Sequence, residues 1–252
     1  MNKKGAPKKQ VKKTKRRNCP PDRIFSGIVN FDKLIEGGFE RKTTNLVVGD
    51  SGSGKTIFAV QFLMGGLRNG EKCLYVTFEE KKEVFYSNMM DFGWDLEFFE
   101  KKGDFIFLEY TPEKVKTMLE EGGGTIESIV LRKKISRIVI DSITSFALLF
   151  GDDLKKREAA LELFRLLRKW GCTSLLTYEE DPSGEKKATS KTLEFESDSI
   201  IALYFIRQKK ERKRYIEILK MRSTKHSCEV YPVEMSKKGI VVGSKAYAGK
   251  LE

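Results

Sequence analysis

Residues 49–56 read GDSGSGKT, which sets Gly49, Gly54, Lys55 and Thr56 in a G-x-x-x-x-G-K-[ST] pattern. This spacing suits a phosphate seat. Glycines let a short loop wrap an anion with successive backbone N–H groups turned inward, where a side chain would clash or where φ is positive. A lysine directly after the loop reaches the β and γ phosphates of a nucleotide, and the next hydroxyl can ligate Mg²⁺. The candidate nucleotide-binding residues are therefore Gly49, Asp50, Ser51, Gly52, Ser53, Gly54, Lys55, Thr56 and Ile57.

A phosphate loop of this kind calls for two further groups. One is an acid at the end of an apolar strand, to hold the metal shell. The run RIVID supplies Asp141, so Thr56 and Asp141 are the candidate metal residues. The other is a carboxylate that orients or deprotonates the attacking water. TFEE offers Glu79 and Glu80, at the end of the apolar run that follows the loop and its helix. Either glutamate could instead serve as an N-terminal charge for the helix KKEVFYSNMM.

The elements that must position these groups are legible in outline. TNLVVG reads as a buried strand running into the glycines, and the residues from Lys55 to about Leu67 as a helix with an apolar face at Phe58, Phe62 and Leu63. KCLYVTF (72–78), DFIFLEY (104–110), SRIVID (136–141) and CTSLLTY (172–178) read as further strands. The helix DLKKREAALELFRLLRKW lies before the last of them, with Gly171 as its terminator. The C-terminal ends of parallel strands face one crevice, which puts Glu79, Glu80, Asp141 and the glycine loop together. After residue 198 strand-like runs follow one another without helices: DSIIALYFIR, RYIEILKMR, CEVYPVEM and GIVVG. The expected fold class is α/β, a mostly parallel twisted sheet flanked by helices with a C-terminal antiparallel extension. Residues 181–193 read as a polar, mobile loop, and the basic turn at 208–214, which contains QKKERK, as a solvated turn rather than a nucleic-acid contact.

The chain has 252 residues and a formal net charge of +12, and residues 1–17 hold nine of its cations and no acid. The remainder is nearly balanced, so the charge is a property of the arm. We read residues 1–23 as a basic, disordered tail and 24–252 as the folded domain. The tail suits a nucleic acid or anionic surface as well as it suits a plain solubilising extension. No apolar run approaches the roughly 20 residues of a membrane helix, and no apolar stretch follows the charged N-terminus as in a secretory signal. The expected compartment is the cytoplasm. Four cysteines lack metal-ligand spacing, and the single histidine, His226, cannot build a His-rich zinc site.

Three stretches in this order resemble the KaiC-like branch of RecA-type P-loop ATPases: SGIVNFDKLIEGGFERKTTNLVVGDSGSGKT, YVTFEE, and LKMRSTKHSCEVYPVEMSKKGIVV. VIDSIT between them fits too, and the likeness covers about residues 25–243. It implies Mg²⁺-dependent ATP hydrolysis in a homo-oligomeric, usually hexameric, ring with ATP between subunits. It also implies that one of the paired glutamates is the base, and that Lys220 and Arg222 reach a neighbour's γ-phosphate as catalytic partners. His226 aligns near the same interface. Ser223 stands where the family pattern has glycine. One ATPase module is present where clock proteins carry two, so a circadian role is not implied.

Three functions follow. The first is a regulatory or signalling ATPase. The second is a recombinase-like accessory that binds DNA through the tail and Lys186, Lys187 and Lys191; against it stands a loop with no aromatic except Phe195 just beyond it. The third is a nucleotide-sensing scaffold with little hydrolysis.

Overall fold

The computed structural model describes residues 22–147, 150, 152–182, 188–249 and 251. The basic arm, Cys19, Lys186 and Lys187 lie outside them.

In chain order, β1 (Arg23–Ile24) pairs with β2 (Phe39–Glu40) around a 3-10 turn at Phe31–Ile35. β3 (Thr44–Gly49) leads through the glycine loop into α1 (Lys55–Leu67), and β4 (Cys73–Thr77) follows. Next come α2 (Lys82–Met90), α3 (Leu96–Lys101), β5 (Phe105–Glu109), α4 (Pro112–Glu120), α5 (Gly124–Lys133) and β6 (Arg137–Asp141). The short α6 (Ile143–Ala147), α7 (Asp153–Trp170), β7 (Thr173–Glu179) and α8 (Ala188–Glu196) precede the all-strand end. That end is β8 (Ser199–Gln208), β9 (Glu211–Met221), β10 (Tyr231–Ser236) and β11 (Gly239–Val242).

A nine-stranded sheet in the order β11-β10-β9-β8-β3-β7-β6-β4-β5 organises the molecule. From β8 to β5 neighbours run parallel, and β9, β10 and β11 add on antiparallel. The parallel strands are buried on both faces, as their continuous apolar runs require. One face packs Val47, Tyr75, Val139 and Leu175 with α1 and its aromatic neighbours. The other packs Val48, Val76, Ile140 and Leu176 with α5 and α7. Alternation along each strand decides which residue joins which core.

α1 is more than amphipathic: every residue from Phe58 to Leu67 is buried. The helix lies between the sheet and the N-terminal segment, so it has no solvent face. Gln61 on α1 donates to the carbonyls of Gly27 and Ile240 and accepts from the Ile240 N–H at 2.7 Å. It thereby ties the helix to β11 with its amide fully used. Asp152 caps the start of α7 by accepting from the Lys155 N–H, and Gly171 ends it in the left-handed region at φ 65°.

Two expectations change. Residues 181–193 are not loop throughout, because α8 begins at Ala188 and buries Leu193 in the second core. The turn between β8 and β9 is also tighter than QKKERK. Gln208 pairs with Glu211, which leaves Lys209 and Lys210 as the turn, with Lys209 at φ 55°. Cross-strand pairing carries the basic residues into the sheet, against their modest strand propensity.

Candidate nucleotide site

The glycine loop stands at the C-terminal end of β3, the central strand. Gly52 and Gly54 take φ values of 77° and 105°, a region that L side chains avoid. A Cβ on Gly49 would lie 2.4 Å from the carbonyl oxygen of Leu203 and 2.6 Å from Ser53 Oγ. The pattern glycines are thus required by backbone shape and by close packing. No side chain among the described residues caps the start of α1, so its first N–H groups are available to an anion.

The loop opens on a cavity of about 360 Å³. Ser51, Gly52, Gly54, Lys55, Thr56 and Ile57 line it from the loop side, and Glu79, Asp141, Ser142, Glu179, Arg214 and Met235 from the strands. The fold therefore brings Lys55, Thr56, Asp141 and Glu79 together. Lys55 is buried, and its Nζ donates to the carbonyls of Gly49 at 2.8 Å and Asp50 at 3.0 Å. An ammonium has three N–H donors, so one remains for a phosphate. Burial lowers the Lys55 pKa, opposed by the charges of Glu179, Asp141, Asp50 and Glu79. Ser53 Oγ is buried without a hydrogen-bond partner among the described residues.

Asp141 ends β6, and the neighbouring strands hold both of its oxygens. Tyr75 on β4 donates to Oδ2 at 2.7 Å, and Thr177 on β7 donates to Oδ1. Thr77, two residues beyond Tyr75, accepts from the N–H groups of both Glu79 and Glu80 at 3.3 Å. The two glutamates then diverge. Glu79 is exposed to the cavity, and its Oε1 accepts from Ser142 at 3.2 Å and from Ser145. Glu80 is half-buried, with Oε2 shut from solvent and unpartnered among the described residues. Burial, with Asp141 and Glu79 adding to it, raises the Glu80 pKa.

Arg214 reaches the loop from β9, donating from Nε and Nη2 to the carbonyl of Gly52. The basic turn was expected to be solvated, and for Arg214 it is not. Tyr75, Thr177, Glu179 and Arg214 escaped the sequence reading. Glu179 carries a usable signal, since it ends an apolar strand as Asp141 does. Thr177 is a polar residue inside an apolar run, also a signal. Arg214 carries none, because only the hairpin register brings it to Gly52.

Lys220 and Arg222 lie elsewhere. Lys220 Nζ donates to the carbonyls of Glu194 at 2.7 Å, Phe195 at 3.2 Å and Ser197 at 2.7 Å. Arg222 donates to the carbonyl of Phe195 at 2.8 Å and pairs with Asp198 at 3.5 Å. Both therefore hold the C-terminal end of α8, where orphan carbonyls attract cations. The register explains their distance from the loop. Lys220 pairs with Ile200 and Ile200 with Leu46, three residues before Gly49. Ser223 adopts φ 55°, the conformation that a glycine at this place would take freely. His226 is half-buried, with Nδ1 against the carbonyl of Ser227 at 2.9 Å.

The residues fit a nucleotide phosphate and a hard cation. A free ammonium N–H, an uncapped helix start, Gly52 and Gly54 at positive φ and Gly49 packed against the Leu203 carbonyl suit the anion. The hydroxyl of Thr56 and the carboxylate of Asp141 are the oxygen donors that Mg²⁺ selects. Among the described residues no helix is long and apolar enough to cross a membrane.

Comparison with known proteins gives the family of the fold. The family model of the KaiC ATPases matches residues 24–247. The circadian clock protein KaiC3 of Synechocystis is 33% identical over 229 residues, 88% of this chain and 45% of that protein. The chain thus spans less than half the length of that relative. A UPF0273 protein of Pyrococcus horikoshii is 34% identical over 233 residues, 87% of this chain and 93% of that protein. The crystal structure of a KaiC-like protein from the same archaeon superposes with a TM-score of 0.79 at 39% identity, covering 88% of this chain and 98% of the other. The family model and the structural likeness both span nearly the whole fold that carries the glycine loop, and the chain belongs to the KaiC family of RecA-like P-loop ATPases.

Proposed function

We propose that this chain is a Mg²⁺-dependent ATPase that assembles into a homo-oligomeric ring and serves a regulatory or signalling role in the cytoplasm. The observation that carries the reading is the convergence of Lys55, Thr56, Glu79 and Asp141 on one cavity.

The roles follow from position. Loop N–H groups and the start of α1 hold the phosphates, and the third N–H of Lys55 faces them. Thr56 and Asp141 would hold Mg²⁺, which when bound neutralises charge on the phosphate oxygens. Glu79 lines the cavity and is steadied by Ser142 and Ser145, so it is the carboxylate we assign to the water. It takes a proton as the water oxygen bonds to the γ-phosphorus. The bond to the bridging oxygen breaks and its electron pair leaves with ADP. Glu80, half-buried behind it, supports that end of the site.

Lys220 and Arg222 cannot serve their own subunit's cavity from below the loop level of the sheet. Any contact that they, or His226, make with nucleotide would be in trans, at a neighbour's site in a ring. Of the residues named for a DNA-binding role, the arm, Lys186 and Lys187 lie outside the described residues, and Lys191 lies exposed on α8.

The test is ATP turnover with Mg²⁺ for wild type, Glu79→Gln and Glu80→Gln, with oligomer mass recorded with and without ATP. Loss of turnover in Glu79→Gln with binding and assembly kept is the expected result. A wild type that binds and assembles without turnover would favour the scaffold function.

A further inference from the structure

We infer that Tyr75 and Thr177 are positioning residues for the metal shell, two neutral hydroxyl donors that lock the Asp141 carboxylate from opposite sides. This rests on the nucleotide reading above and deepens it.

The geometry is specific. Asp141 is the last residue of β6, which lies between β4 and β7. Ile140 pairs with Leu176, so Thr177 stands directly beside Asp141, and its hydroxyl donates to Oδ1. Tyr75 pairs with Val139 and reaches Oδ2 along the same face at 2.7 Å. One carboxylate is thus fixed by both flanking strands. Each carboxylate oxygen keeps a lone pair beyond these bonds, and Asp141 lines the cavity beside Thr56.

The type of donor matters. An arginine or lysine at either position would neutralise Asp141 and compete with a cation. Hydroxyl groups fix the rotamer and leave the full negative charge available. Both donors are themselves immobile. Tyr75 is 1% exposed, and its ring lies 4.5 Å from Phe85 and 5.7 Å from Phe107. Thr177 is fully buried. A buried hydroxyl in the middle of an apolar strand would be costly without such a partner.

The consequence is for metal affinity rather than for phosphate binding. Partners that orient a metal-holding group typically change affinity by about 10–100-fold when removed. The experiment is a titration of Mg²⁺ against binding of a fluorescent ATP analogue, mant-ATP, to full-length wild type, Tyr75→Phe, Thr177→Val and Thr177→Ser. The same binding is measured in EDTA. Tyr75→Phe keeps the ring and its stacking, and Thr177→Val keeps the shape. The expected result is a half-saturating Mg²⁺ concentration about tenfold higher in Tyr75→Phe and Thr177→Val. Binding in EDTA stays within about twofold of wild type, and Thr177→Ser, which keeps the hydroxyl, restores the Mg²⁺ response. Should Tyr75→Phe fail to fold, the contrast of Thr177→Val with Thr177→Ser decides the matter alone.

A Mg²⁺ response in both variants within about twofold of wild type overturns the positioning role and leaves the ATPase reading intact. Equal weakening in Mg²⁺ and in EDTA also overturns it, since that is what a merely structural role produces. A wild type that binds mant-ATP equally with and without Mg²⁺ fails the magnesium reading itself, and the positioning role falls with it.

Discussion

Arg214 lies 4.1 Å over the ring of Phe205 and donates twice to the carbonyl of Gly52, at 3.1 and 2.9 Å. The antiparallel extension thereby braces the phosphate loop. Burial lowers the Arg214 pKa from its ordinary value, yet arginine stays charged at any working pH. Arg214→Gln should weaken nucleotide binding by about tenfold, since a charged hydrogen bond contributes about 1.5–3 kcal/mol and this one is partly solvated. A mant-ATP titration reads the change, and unchanged affinity would show the brace to be idle.

Glu79 and Glu80 should separate cleanly. Glu79→Gln should cut turnover by about 10²–10⁴-fold with nucleotide binding kept. Glu80→Gln should instead raise thermal stability at neutral pH. Its folded pKa is raised, so folding favours the protonated form. That stabilisation is present below the unfolded carboxylate value and is lost as pH rises through the folded one. The gain from Glu80→Gln should therefore be largest near pH 7 and shrink toward about pH 4. Melting curves across that range check the sign.

Arg137 is fully buried and grips Glu71 through Nε and Nη2, both at 2.8 Å, while Nη1 donates to the carbonyls of Phe25 and Phe62. It ties α1, β6 and the N-terminal segment together. Arg137→Met should cost about 3–5 kcal/mol, mostly because it strands Glu71. Burial opposes Glu71 ionisation, but the bonds and charge of Arg137 outweigh it and its pKa is lowered. The stability from this pair is present above the unfolded carboxylate value and lost as pH falls through the lower folded one. Chemical denaturation at pH 7 and pH 4 should show the variant's deficit narrowing in acid.

Lys220→Ala removes three bonds to the end of α8. Amides of α8 should exchange with deuterium about tenfold faster or more, by local rather than global opening. Arg222→Ala should do so less, since it donates one bond to those carbonyls. If both residues also act in trans, turnover falls in each variant without loss of the subunit's own nucleotide affinity.

How much of this was legible in the chain depends on the range of the interaction. TNLVVG, RIVID and CTSLLTY show their strands because burial on both faces demands continuous apolar runs. The loop shows itself because its backbone shape needs glycine at fixed steps. α8 was missed because its sequence is polar outside Leu193 and Phe195; bonds from Lys220 and Arg222 across β9 hold its end. Ser223 shows the same limit in small: it adopts a left-handed φ of 55°, which no local preference for serine would suggest.

The sequence by itself determined the phosphate loop, the acid at the end of β6, the glutamate pair and the α/β class. These rest on local rules, the φ demands of a tight loop and the period of buried strands. Tertiary structure alone decided that Glu79 faces the cavity and Glu80 does not, and that Tyr75 and Thr177 grip Asp141. It also decided that Arg214 braces Gly52 and that Lys220 and Arg222 sit away from their own loop. Each of these depends on which strands become neighbours and in what register, and that choice is made by the packing of the whole sheet.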